Sequence, residues 1–124
     1  MLLCRSPAEA YAKVDFDARV AGAGTRELVL VCYERLVGEI DRACMADVAS
    51  DNAAKSEAIT KALAALTALE LGVDPDSPMA PVLLQLYRPA RQALVDAVLA
   101  FDHALLRRIR NDLDDIRRAF VAAA

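Results

Sequence analysis

The stretch Thr25–Met45, TRELVLVCYERLVGEIDRACM, decides the fold. Leu28, Val29, Cys32, Tyr33, Leu36, Ile40, Ala43 and Cys44 recur in steps of three and four, so they gather on one side of a 3.6-residue repeat. Charged residues fill much of the remainder. Thr25 is a plausible N-cap, and Gly22 and Gly24 break the chain just before it. The spacing therefore predicts a long amphipathic helix with one buried face.

Working outward, the next segments read the same way. Ser50 or Asp51 caps a second helix whose stripe is Ile59, Leu63, Leu66 and Leu69, with Gly72 as its stop. The segment from Gly72 to Pro81 holds three prolines and two aspartates and is the clearest loop. Ser77 and Pro78 form an N-cap and first-turn pair for a third helix. Its inward stripe is Leu83, Leu86, Tyr87, Ala90, Leu94, Ala97 and Phe101. Pro89 falls inside it, and because the stripe stays in phase on both sides the expectation is a kink and not a break. Asp102 caps a fourth helix with Leu105, Leu106, Ile109, Leu113, Ile116 and Phe120 on one face. Short connections favour antiparallel neighbours. The fold class expected is all-α: an antiparallel up-down four-helix bundle preceded by a short helical segment around Ala10, Tyr11 and Phe16. One domain is expected over 1–124, with 1–24 as cap and linker, 25–120 as core and 121–124 as a frayed tail.

Composition narrows the function. The 124 residues carry a net charge of −3, with a sequence pI near 5.1. Nucleic-acid binding needs a concentrated basic face, which this balance argues against. Arg107–Arg110 and Arg117–Arg118 alternate with Asp112, Asp114 and Asp115, the pattern of a solvated helix face. Cys4, Cys32 and Cys44 are odd in number and lack metal-ligand spacing. Cys32 and Cys44 on one helix would lie about 18 Å apart along its axis, too far for a disulfide. They read as buried thiols of a reducing compartment. The longest strictly apolar run, Leu28–Tyr33, is far short of a membrane span, and no export signal is present. A cytoplasmic location is expected.

Chemistry is hard to find. No inward polar cluster and no Glu-x-x-His spacing is evident. His103, the sole histidine, falls in the first turn of the last helix, where it should be exposed. The three aspartates lie on the polar side of one helix, which lacks the turn and further ligands of a calcium loop. No phosphate loop or activated nucleophile appears. The reading is that the chain is not an enzyme and needs no cofactor and no metal.

Apolar residues off the inward faces are more informative. On the third helix Leu84, Val95 and Leu99 stand away from the stripe, with Arg88 and Arg91 between them at helical spacing. Leu30 and Val37 flank the first helix's stripe, Val31 points nearly opposite it, and Leu71 is out of phase at the end of the second helix. Scattered surface leucines are ordinary on small proteins. The functional reading is a groove for an amphipathic partner segment, its arginines pairing acidic groups at the rim.

At this spacing the sequence resembles the FliS family of flagellin export chaperones, from about Ala10 to Phe120. Ala10-Tyr11 is similar to the family's N-terminal Ala-Tyr, and Leu28-Val29 with Cys32-Tyr33 to its Leu-Ile-x-x-Leu-Tyr. Lys61-Ala62, Leu66, Leu69 and Val73-Asp74 follow its second-helix frame. Leu86-Tyr87, Leu94, Ala97 and Asp102 match its third helix and the next cap. Ile109, Leu113, Ile116, Arg117, Ala119 and Phe120 follow its closing pattern. Thr25, Arg35, Pro89 and Val98 depart from it. The resemblance implies a cytoplasmic chaperone of the flagellar secretion system, whose client is the disordered C-terminal segment of flagellin. Other flagellar export components are further candidate partners, with no nucleic acid and no membrane insertion. Tyr11, Leu30, Val31, Leu71, Leu84, Arg88, Arg91, Val95 and Leu99 are the expected partner-binding residues, with Tyr11 capping the groove in the empty protein. The alternative is a helical-bundle adaptor or chaperone paralogue for a different secretion or flagellar substrate.

Overall fold

A computed structural model describes residues 25–122. Over that range the chain forms four helices: α1 (Thr25–Val48), α2 (Asn52–Leu71), α3 (Ala80–Asp96) and α4 (His103–Ala122). Among the described residues there is no strand, and the all-α bundle read from the periodicity is what forms. α1 packs against α2 and α4, and α3 closes the ring by packing against the same two helices. α1 and α3 therefore lie on one diagonal and α2 and α4 on the other. Cross-helix pairs run in opposite order along neighbours, as they do in antiparallel pairs. Arg26 of α1 meets Phe120 of α4, while Asp41 meets Arg110. Likewise Lys55 of α2 sits over the Phe101 ring just beyond α3, while Glu70 meets Arg91.

The helix ends follow local chemistry. α1 closes with Asp51 N donating to the Ala46 carbonyl at 2.9 Å and Ser50 N to Asp47 at 3.1 Å. Ser50 sits at φ 56°, the left-handed position that such a Schellman closure requires. Asp51 then caps α2, its Oδ1 accepting from Ala54 N at 3.0 Å. Gly72 ends α2 in right-handed geometry. Asp102 caps α4 in the same manner as Asp51, accepting from Leu105 N at 3.0 Å.

α3 differs from expectation at both ends. Ser77 Oγ does accept from a backbone amide, Met79 N at 3.2 Å, but helix proper begins only at Ala80. Met79 is the N-cap without a side-chain bond, and Pro81 takes the first turn in place of Pro78, where its missing N–H is harmless. At the other end α3 stops at Asp96, and Ala97–Ala100 turn toward Asp102. Phe101 still packs on the core from outside the helix. Pro89 lies within α3 without breaking it.

The core is built from the predicted stripes. Leu36, Ile40, Leu66, Leu94, Leu106 and Leu113 are fully enclosed, and alanines such as Ala43, Ala62 and Ala90 let the helices approach closely. Val37, placed at the flank of the α1 stripe, belongs to this core. Cys32 and Cys44 are free and buried in it, and burial raises both thiol pKa values, which leaves them unreactive.

One sequence reading is overturned: inward polar groups do exist. The Tyr33 and Tyr87 hydroxyls lie 2.6 Å apart inside the bundle. Glu39 is buried and paired with Arg35 at 3.2 Å and Arg42 at 3.0 Å. Asp114, assigned to the polar side of α4, is also buried. Its oxygens accept from Arg117 Nε at 2.8 Å and Arg118 Nη2 at 2.7 Å, with Arg110 at 3.7 Å. Burial without partners would be costly, and the arginines one turn away supply them.

Candidate functional site: an exposed apolar strip on α3

Leu84, Arg88, Arg91 and Val95 succeed one another in steps of four, three and four, so they share one face of α3 over about 16 Å. Arg91 fixes where that face lies. Its Nε donates to Glu70 Oε1 at 3.0 Å and Oε2 at 3.2 Å, and its Nη2 to Thr67 Oγ1 at 2.6 Å. The strip therefore runs beside the C-terminal half of α2. The Glu70 carboxylate raises the Arg91 guanidinium pKa, so Arg91 keeps its charge throughout the ordinary pH range.

The named side chains differ in what they can offer. Val95 is exposed, as is Leu71, one residue beyond Glu70. Leu99, on the turn after α3, is 95% exposed, the most open large apolar side chain among the described residues. Leu84 is half-buried. Arg88 is exposed and has no partner among the described residues, whereas Arg91 is already held by Glu70 and Thr67. Arg91 thus braces α3 against α2, and Arg88 is the guanidinium left to meet an incoming carboxylate.

The α1 residues do not join this strip. α1 and α3 are diagonal and do not pack against each other. Leu30 is half-buried, and Val31 is only 5% exposed although it is not part of the connected core. The expectation that Val31 presents itself to solvent is corrected: its side chain is enclosed, although it points away from the stripe that packs on α2 and α4. Tyr11 lies outside the described residues.

The sequence reading passed over several exposed apolar residues. Lys55 pairs with Asp47 at 3.1 Å and sits over Phe101, which brings the end of α1, the start of α2 and the α3–α4 connection to one end of the bundle. Met45, Val48 and Val98 are exposed at that same end, beside Leu99. Their signal was available, since Met45 and Val48 fall out of phase with the α1 stripe. Met79, Val82 and Val121 are exposed elsewhere.

Chemically the strip offers apolar area, one unpaired guanidinium and backbone carbonyls. His103 is exposed, its ring 6.3 Å from that of Phe101. Among the described residues no three His, Cys, Asp or Glu side chains come together as metal ligands. Among those residues, too, no helix is long and apolar enough to cross a membrane. In comparisons with known proteins, a family model described as "Flagellar protein FliS" matches residues 7–124. No curated protein matches the chain.

Proposed function

The chain belongs to the FliS family of flagellar proteins, and on that premise we propose that it is an export chaperone that binds the disordered C-terminal region of flagellin. The observation that carries the reading is the combination of this family membership with the α3 strip, in which Arg88 and Val95 are exposed and Leu84 is half-buried, continued by the exposed Leu99 and flanked by the exposed Leu71. Such a surface suits an amphipathic segment that becomes helical as it docks, laying its apolar face along α3 and a carboxylate on Arg88. Covering that segment keeps flagellin monomeric and unfolded enough for export.

The energetics set the scale of the contact. Ordering a disordered segment costs about 2–5 kcal/mol. At about 25 cal/mol per Å² of apolar surface, about 200 Å² offsets the upper figure. Association entropy adds a further cost. The client must therefore bury several hundred Å² and extend beyond the α3 strip.

The test is seeded polymerisation of purified flagellin with and without this chain. Equimolar chain is expected to hold flagellin monomeric and to co-elute with it in gel filtration. Polymerisation at an unchanged rate, with no co-elution, would overturn the reading and favour a different flagellar client.

A further inference from the structure

Pro89 lies inside α3 yet faces solvent. A proline there donates no N–H to the carbonyl four residues earlier, and its ring pushes that carbonyl away from the axis. The Gln85 carbonyl is thus left without its helical donor. Burial does not return the stability this costs, since Pro89 is exposed. A helical carbonyl lies beneath the residues three and four positions on. For Gln85 these are Arg88 and Pro89, and both are exposed, as are Gln85 and Gln92. The open acceptor therefore sits at the rim of the Leu84–Val95 strip, next to the one guanidinium of that strip without a described partner.

We propose that Pro89 holds the Gln85 carbonyl open as a hydrogen-bond acceptor for the docked client. Together with Arg88 it selects an amphipathic flagellin segment carrying a side-chain donor, an amide or hydroxyl, beside a carboxylate. The inference rests on reading the α3 strip as the client surface. A helical segment satisfies its own backbone amides, so the donor reaching Gln85 is a side chain. Arg88 meets the carboxylate by charge complementarity, and the carbonyl fixes register, because a hydrogen bond is directional where apolar contact is not.

The experiment uses the full chain, the C-terminal segment of flagellin, and a ¹³C label on the Gln85 carbonyl. Saturating client is expected to move the Gln85 carbonyl resonance. Pro89→Ala supplies the missing N–H and closes the acceptor. That variant is expected to melt higher than wild type but to bind the client about two- to tenfold more weakly, the worth of one hydrogen bond. If wild type binds while the Gln85 resonance stays put and Pro89→Ala binds equally well, the carbonyl only faces water. The inference is then overturned and the chaperone reading stands. If wild type does not bind the segment at all, both fall together.

Discussion

The hydroxyls of Tyr33 and Tyr87 meet 2.6 Å apart although their helices, α1 and α3, do not pack against each other. Two long side chains span the diagonal of the bundle, and their rings stand 6.4 Å apart at a tilt of 52°. Both residues are almost fully enclosed, and burial is the leading cause that pushes both phenol pKa values up, so neither ionises in the range where the protein is handled. This hydrogen bond ties α1 across the core to α3, the helix that carries the strip.

A lone buried hydroxyl costs about 1–3 kcal/mol, while two apolar replacements of the same shape are nearly neutral. Tyr33→Phe and Tyr87→Phe should each destabilise the bundle by that amount in urea denaturation. The double variant should lose less than the sum of the two, with a coupling of at least about 0.5 kcal/mol. Strictly additive losses would mean that the hydroxyls do not depend on each other.

Asp114 predicts a pH dependence. Hydrogen bonding to Arg117 is the main cause that holds its carboxyl below the ordinary value of 3.8. A carboxylate depressed in the folded state contributes stability above its unfolded value and loses it as pH falls through the folded one. Asp114→Asn should therefore be less stable than wild type at pH 7, and the gap should close as pH drops below about 4. Urea midpoints at pH 7 and pH 3 measure this; a gap of constant size would contradict the assignment.

Two backbone exchanges of opposite kind should both stabilise. Gly38 lies inside α1, and a Cβ built there meets nothing within 4 Å. Gly38→Ala should add about 0.5–1 kcal/mol by removing unfolded-state freedom. Ser50 sits at φ 56° in the α1–α2 closure, where glycine has no Cβ penalty. Ser50→Gly should add up to about 1 kcal/mol. Thermal melts of the two single variants check both signs.

The strip itself is tested by charge. Val95 and Leu99 are exposed, so glutamate at both positions should leave far-ultraviolet dichroism and melting near wild type. Client affinity should fall at least tenfold, since the apolar contact is replaced by two solvated carboxylates. Collapse of the melting transition would place these residues in the core.

Much of this was legible in the sequence, and the limits have physical causes. The α1 stripe, the Asp51 and Asp102 caps and the run of the helix through Pro89 depend on neighbours three or four residues away, which periodicity records. The start of α3 is ambiguous in sequence because Pro78 and Pro81 both suit a first turn, and its end because Ala97–Ala100 contains no glycine or proline to mark it. On the candidate strip, the exposure of Arg88 and Val95 follows from helical angle, whereas Leu99 is exposed on the turn beyond the helix. The occupation of Arg91 by Glu70 did not, since that pair is 21 residues apart in sequence. The Tyr33–Tyr87 bond spans 54 residues. Burial of Val31, Glu39 and Asp114 depends on what surrounds each helix, which a single-helix projection does not contain.

The central claim is most directly tested by titration calorimetry of this chain with the C-terminal segment of its own flagellin. The account predicts one-to-one binding at micromolar affinity or tighter, with a strongly negative heat-capacity change as apolar surface is buried. No detectable heat at any temperature, with the chain folded and the segment soluble, would contradict it.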